Sequence, residues 1–115
     1  MDISELPEKQ VYEIAAPMWK IIIKGSNEID FELFSSSFSE ELKDRIGKDK
    51  FEKQCNEFPL LTSLGSFEPV ACFRRENGVT IVFRQFSTRL KGEFIGQLRL
   101  IQSEGRTEIT ELQVY

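Results

Sequence analysis

Apolar residues recur every three to four positions up to the leucines before Gly65, and at nearly every second position after it. The first period belongs to helices buried along one stripe, the second to strands. A helix is predicted from Pro7 to Ile23, with Val11, Ile14, Ala15, Met18 and Ile22 on its buried side. Pro7 fits a first turn, where a missing N–H costs nothing. Pro17 removes an interior hydrogen bond, so a kink or break is expected there. Gly25 is the expected stop, with Ser26 or Asn27 capping the next helix. That second helix carries Ile29, Phe31, Leu33, Phe34 and Phe38. Ser37 with Glu40 reads as a capping box for a third helix within SFSEELKDRIG, ended by Gly47. Asp49 with Glu52 repeats the signal for a fourth, striped by Phe51, Cys55 and Phe58 and closed by Pro59. Helices this short must pack on something flat to persist.

The flat partner is a set of strands predicted at Phe67–Glu76, Val79–Ser87, Glu93–Ser103 and Arg106–Tyr115. Asn77-Gly78 is the strongest hairpin signal, because a type I′ turn needs positive φ at both central residues. Lys91-Gly92 and Glu104-Gly105 are weaker signals of the same kind. The fold class is therefore α+β, with N-terminal helices packed on a four-stranded antiparallel sheet in one domain over residues 1–115. Two-residue turns throughout would fix the register and sort the side chains onto two faces. The more apolar face collects Val79, Ile81, Phe83, Gln85, Phe94, Gly96, Leu98, Leu100, Ile109, Glu111, Gln113 and Tyr115, with Val70, Cys72 and Arg74 from the first strand. It is assigned to the helices. The other face shows Phe73, Val82, Arg84, Phe86, Ile95, Arg99, Ile101, Leu112 and Val114. That is too much apolar surface to leave in water, and a homodimer through this outer face would cover it. Arg84 and Arg99 are expected to oppose one another there, beside Thr110. Such a pair requires an acid from a second subunit, splaying into water, or an anion between them.

Composition narrows the chemistry. The 115 residues contain no His, which excludes His-based metal sites, Ser-His and Cys-His nucleophile pairs and histidine switching. Fifteen bases against 19 acids give a net charge of −4, a poor balance for binding nucleic acid through its phosphates. The acids concentrate early: residues 1–60 hold 13 acids and 8 bases, residues 61–115 hold 6 and 7. Cys55 and Cys72 lie among apolar neighbours and far from a CxxC spacing, so buried thiols in a reducing compartment are expected. The opening MDISELPEKQ has neither the basic nor the apolar part of a signal peptide. The longest apolar run, Ile21–Ile23, is far too short for a membrane span. The chain reads as cytoplasmic, without membrane, cofactor or metal. No dinucleotide, Walker, nucleophile-elbow or calcium-loop motif is present.

The stretches APMWKIIIKGSNEIDFELFS, FSEELKDRIGKDKFEKQ, the step LGSF, KGEFIGQLRLI and GRTEITELQVY together resemble the nuclear-transport-factor-2-like group, and within it small bacterial cystatin-like domains of unknown function. The likeness covers nearly the whole chain. It implies a cone, with helices in the concavity of a curved sheet, a pocket at the open end, and homodimers through the outer face. The group holds enzymes as well as binding and assembly domains, so it does not choose the function. Three readings remain open. One is a non-catalytic domain binding a small apolar ligand in a pocket lined by Trp19, Phe34, Phe38, Phe83, Gln85, Leu98, Glu111, Gln113 and Tyr115; the same residues also read as core with a wet rim. Another is an acid–base isomerase or cyclase with Glu111 as base and Tyr115 or Trp19 as donor, against which stands the lack of any Asp after Asp49. The third is a pure assembly module using Phe73, Val82, Arg84, Phe86, Ile95, Arg99 and Leu112.

Overall fold

The computed structural model describes residues 2–115, apart from the side chain at position 103. Helix α1 (Glu8–Asn27) is followed by α2 (Phe31–Phe34), α3 (Glu40–Ile46) and α4 (Lys48–Glu57). Short 3₁₀ turns sit at Ile3–Glu5 and Pro59–Thr62. Strands β1 (Leu64–Arg75), β2 (Gly78–Ser87), β3 (Phe94–Ser103) and β4 (Arg106–Val114) then form one open antiparallel sheet in the order β1-β2-β3-β4. The architecture is the expected α+β arrangement, with helices N-terminal to the sheet.

Helix α1 buries Val11, Ala15, Trp19, Ile22 and Ser26, a stripe of steps of three and four. It runs unbroken through Pro17, contrary to the expected break. Pro17 and Glu13 both lie on the exposed side, so the carbonyl that loses its N–H partner meets water. Gly25 does not stop the helix either. It is buried inside α1, where a Cβ would strike the backbone of Phe34. The helix runs to Asn27 and is terminated by Ile29, which lies just past its C-cap and takes φ +53°. Ile29 N–H donates to the Ser26 carbonyl at 3.2 Å and Asp30 N–H to that of Gly25 at 2.8 Å. This is the Schellman pattern, with isoleucine where glycine is usual.

The caps shift in the same way. Asp30, not Ser26 or Asn27, caps α2 through Leu33 N–H, and Ser39, not Ser37, caps α3 through Leu42 N–H. Ser37 and Ser39 also flank a parallel bridge between Phe38 and Ile109. The second helix shrinks to four residues for that reason, since Phe38 is drawn to the sheet edge. Phe31, Phe34 and Phe51 then stack together, with Phe34–Phe51 centroids 4.3 Å apart. Phe34 also meets Phe38 edge-on at 5.1 Å.

Three features of the sheet depart from ideal two-residue hairpins. The first turn is centred on Glu76-Asn77, and Gly78 opens β2 opposite Arg75. Gly78 is needed inside the strand because a Cβ there would collide with the Leu100 carbonyl. Second, β2 and β3 are joined by the longer segment 88–93, which pairs Arg84 with Ile95 and Thr80 with Arg99. Arg84 and Arg99 therefore do not oppose each other. Third, three register shifts interrupt the alternation: between the pairs Leu64/Ser87 and Phe67/Gln85, at Val70 between Pro69/Phe83 and Ala71/Val82, and at Thr110 between Leu100/Ile109 and Arg99/Glu111. A bulge inserts one residue and exchanges the faces beyond it. Phe67 thus points inward against Phe83, at 5.2 Å, and Val70 is exposed. Beyond Thr110, Leu112 and Val114 face the helices while Glu111 and Gln113 face outward.

Candidate functional site

The centre of the helix–sheet interface is filled. Trp19, Phe83, Gln85 and Leu98 are buried, and Trp19 stacks on Phe83 at 5.3 Å. Gly96 makes room for the indole, since a Cβ at that position would run into its ring. Trp19 Nε1 donates to Gln85 Oε1 at 2.8 Å. The Gln85 amide nitrogen in turn donates to the carbonyls of Gly65, Ser66 and Phe86, at 3.1, 3.2 and 2.8 Å. Every polar atom of this pair is satisfied within the fold, so these four residues form core and do not face a cavity.

The hollow opens to one side, where α1, α3 and α4 part from β4. It is a cleft of about 270 Å³. Its walls are Ile22, Phe34, Ile46, Phe51, Leu61, Leu64, Leu112 and Val114, with Ser26, Gln54 and Gln113 as polar neighbours. Cross-links between the layers hold it in shape. Ser26 Oγ donates to the Leu61 carbonyl at 2.5 Å, and the Asn27 side chain pairs with both backbone groups of Leu64 at 2.9 Å. The thiol of Cys55 lies beside this floor, 3.8 Å from the Ser26 carbonyl, and burial pushes its pKa up from the ordinary 9.0. A second apolar hollow, lined by Phe58, Leu60, Leu61, Val114 and Tyr115, adjoins the first along α4.

Of the expected pocket residues, Phe34 and Gln113 border the cleft. Phe38 sits by the polar mouth near Ser37 and Arg106 instead. Glu111 is exposed and opposes Arg99 on the outer face, a consequence of the Thr110 bulge. Tyr115 is 58 % exposed, its backbone paired with Ile95, and the Trp19 N–H is committed to Gln85. The groups considered for acid–base catalysis are thus not brought together. Ile22 and Phe51 were legible only as core stripes, and nothing in the spacing of the last strand announces Leu112 and Val114 as lining.

On the outer face, Val70, Phe73 and Ile95 are 51 %, 50 % and 38 % exposed, while Val82 and Phe86 are half-buried. Leu112, expected here, is on the opposite side because of the Thr110 bulge. Arg84 finds its acids within the chain, reaching Glu68 at 2.7 Å and Glu93 at 2.9 Å. Among the described residues, Arg99 Nε and Thr110 Oγ1 are buried without a hydrogen-bond partner. No cluster of three metal-ligating side chains occurs among those residues, and no helix is long and apolar enough to cross a membrane. The chain matches no known family model, and a search of curated proteins returns no match.

Proposed function

We propose that the chain is a non-catalytic binding domain that takes an apolar group into the cleft between its helices and β4. The observation that carries this reading is the lining: eight apolar side chains drawn from both layers, three uncharged polar neighbours, and no carboxylate, amine or guanidinium. Apolar walls with a few polar groups suit recognition of a small hydrophobic molecule or side chain. They offer no proton donor or acceptor of the kind an isomerase needs. Membership of the nuclear-transport-factor-2-like group is part of the same proposal, supported by the order of helices before an open meander and by a hollow where the two part.

The test is a thermal-shift series with small hydrophobic compounds on the unmodified protein and on Gln54→Trp, which places an indole at the mouth from an exposed helical position. A compound that binds only the folded state raises the melting temperature. Stabilisation of the parent protein, lost in Gln54→Trp and kept in Lys53→Trp, is expected. Failure of every compound class to stabilise the parent protein overturns the reading.

The exposed row Val70, Phe73 and Ile95 supports a second element, self-association through the outer sheet face. Sedimentation should then give a dimer that Phe73→Asp converts to monomer. A parent protein that sediments as a monomer at all accessible concentrations removes this element.

A further inference from the structure

The cleft runs beside a strand edge that has no neighbour. Strand β4 is the last in the sheet. Ile95 and Tyr115 exchange both backbone hydrogen bonds, at 2.6 and 3.0 Å. By the two-residue alternation of an antiparallel ladder, Gln113 and Glu111 also turn their backbone groups toward β3, and Leu112 and Val114 turn theirs away. Among the described residues those outward N–H and C=O groups have no partner. Upstream the same edge is already paired. Ile109 donates to the Ser37 carbonyl at 2.8 Å and accepts from Ser39 N–H at 2.9 Å, while Arg45 reaches the Thr110 carbonyl at 3.4 Å. At Ser39 that segment leaves the edge to begin α3.

We propose that the cleft's occupant is an extended peptide segment that adds to β4 at Leu112 and Val114 and lowers an apolar side chain between Ile46, Phe51 and Leu61. This rests on the cleft being a binding site and narrows its ligand to one class. Two observations favour a strand over a compact small molecule. The unmet backbone groups recur at the two-residue period that only another extended backbone matches. The fold itself makes the same junction at Ile109, where Phe38 on the added segment packs against Phe34 of the helical layer. An exposed edge of this kind is otherwise a liability that proteins cover.

The probe is a fluorescein-labelled hexapeptide of alternating leucine and threonine, compared with the same peptide N-methylated along one edge. Binding by anisotropy is expected, with loss of at least tenfold on N-methylation. Amide exchange at Leu112 and Val114 should slow in the complex. A solvatochromic dye, which makes no strand-type backbone hydrogen bonds, follows the cleft independently on the unmodified protein. If the dye binds and the hexapeptide does not, or the methylated peptide binds equally, the strand proposal fails and the cleft reading stands. If neither dye nor peptide binds, both fail. If the unliganded protein is a dimer that already protects those amides, a second copy covers the edge and the proposal is overturned.

Discussion

Gln85 stands in the middle of an apolar face, and what justifies an amide there is the indole N–H above it and three strand carbonyls around it. Gln85→Leu leaves the buried indole N–H and three part-buried carbonyls without this partner. We expect a loss of about 2–4 kcal/mol, measured by urea unfolding followed through Trp19, the only tryptophan. Gly96→Ala tests the opposite fault, excess volume: the new methyl meets the Trp19 ring, and about 1–3 kcal/mol should be lost in the same assay. The alternation already placed Gln85, Leu98 and Phe83 on the helix-facing side. It could not show that their polar and aromatic groups close upon one another and leave the cleft elsewhere, because hydrogen-bond closure depends on Gly65 and Ser66 arriving from β1.

At the level of elements, turns and caps were legible to within one to four residues, the largest misses being the end of α1 and the cap of α2. Glu104-Gly105 is a two-residue turn with positive φ at both positions, 52° and 80°, as its place before β4 predicts. Glutamate is a poor residue for that conformation, so Glu104→Asn should stabilise the protein by about 0.5–1 kcal/mol in thermal or urea unfolding. Asn77-Gly78 carried a stronger signal and is displaced by one residue. The glycine answers to a packing demand, the approach of the Leu100 carbonyl, which outweighs local turn preference. Ser37 and Ser39 make the same point for helices. The spacing to Glu40 points to Ser37 as the cap of α3, and the pairing of Ile109 with the 37–39 segment gives that place to Ser39 instead.

The helical layer, the sheet and their order follow from the two apolar periods, and so does the solvent-averse character of both sheet faces. The site did not follow, because the last half of β4 was assigned to the wrong side. Whole-molecule electrostatics supply a further check. Burial raises the thiol pKa of Cys55 and, with smaller burial, of Cys72 above the ordinary 9.0. Folding then favours the protonated thiol, so this contribution is complete below about pH 9 and is lost as pH rises through that value toward the folded-state one. Melting temperature should fall as pH rises past about 9, and less steeply in Cys55→Ala than in the parent protein.

The extra residue at Thr110 governs which way the chain's last five side chains look. Its excision would leave Ile109 and Glu111 as successive partners of Leu100 and Arg99, so the rest of the strand would keep its facing. Such a shortened protein should retain dye uptake. Forcing strict alternation with Thr110 kept in the ladder would instead press the carboxylate of Glu111 and the amide of Gln113 toward the phenylalanine cluster, and put two aliphatic groups out into water. One residue set aside from the ladder thus keeps greasy a slot that would otherwise be wet and charged.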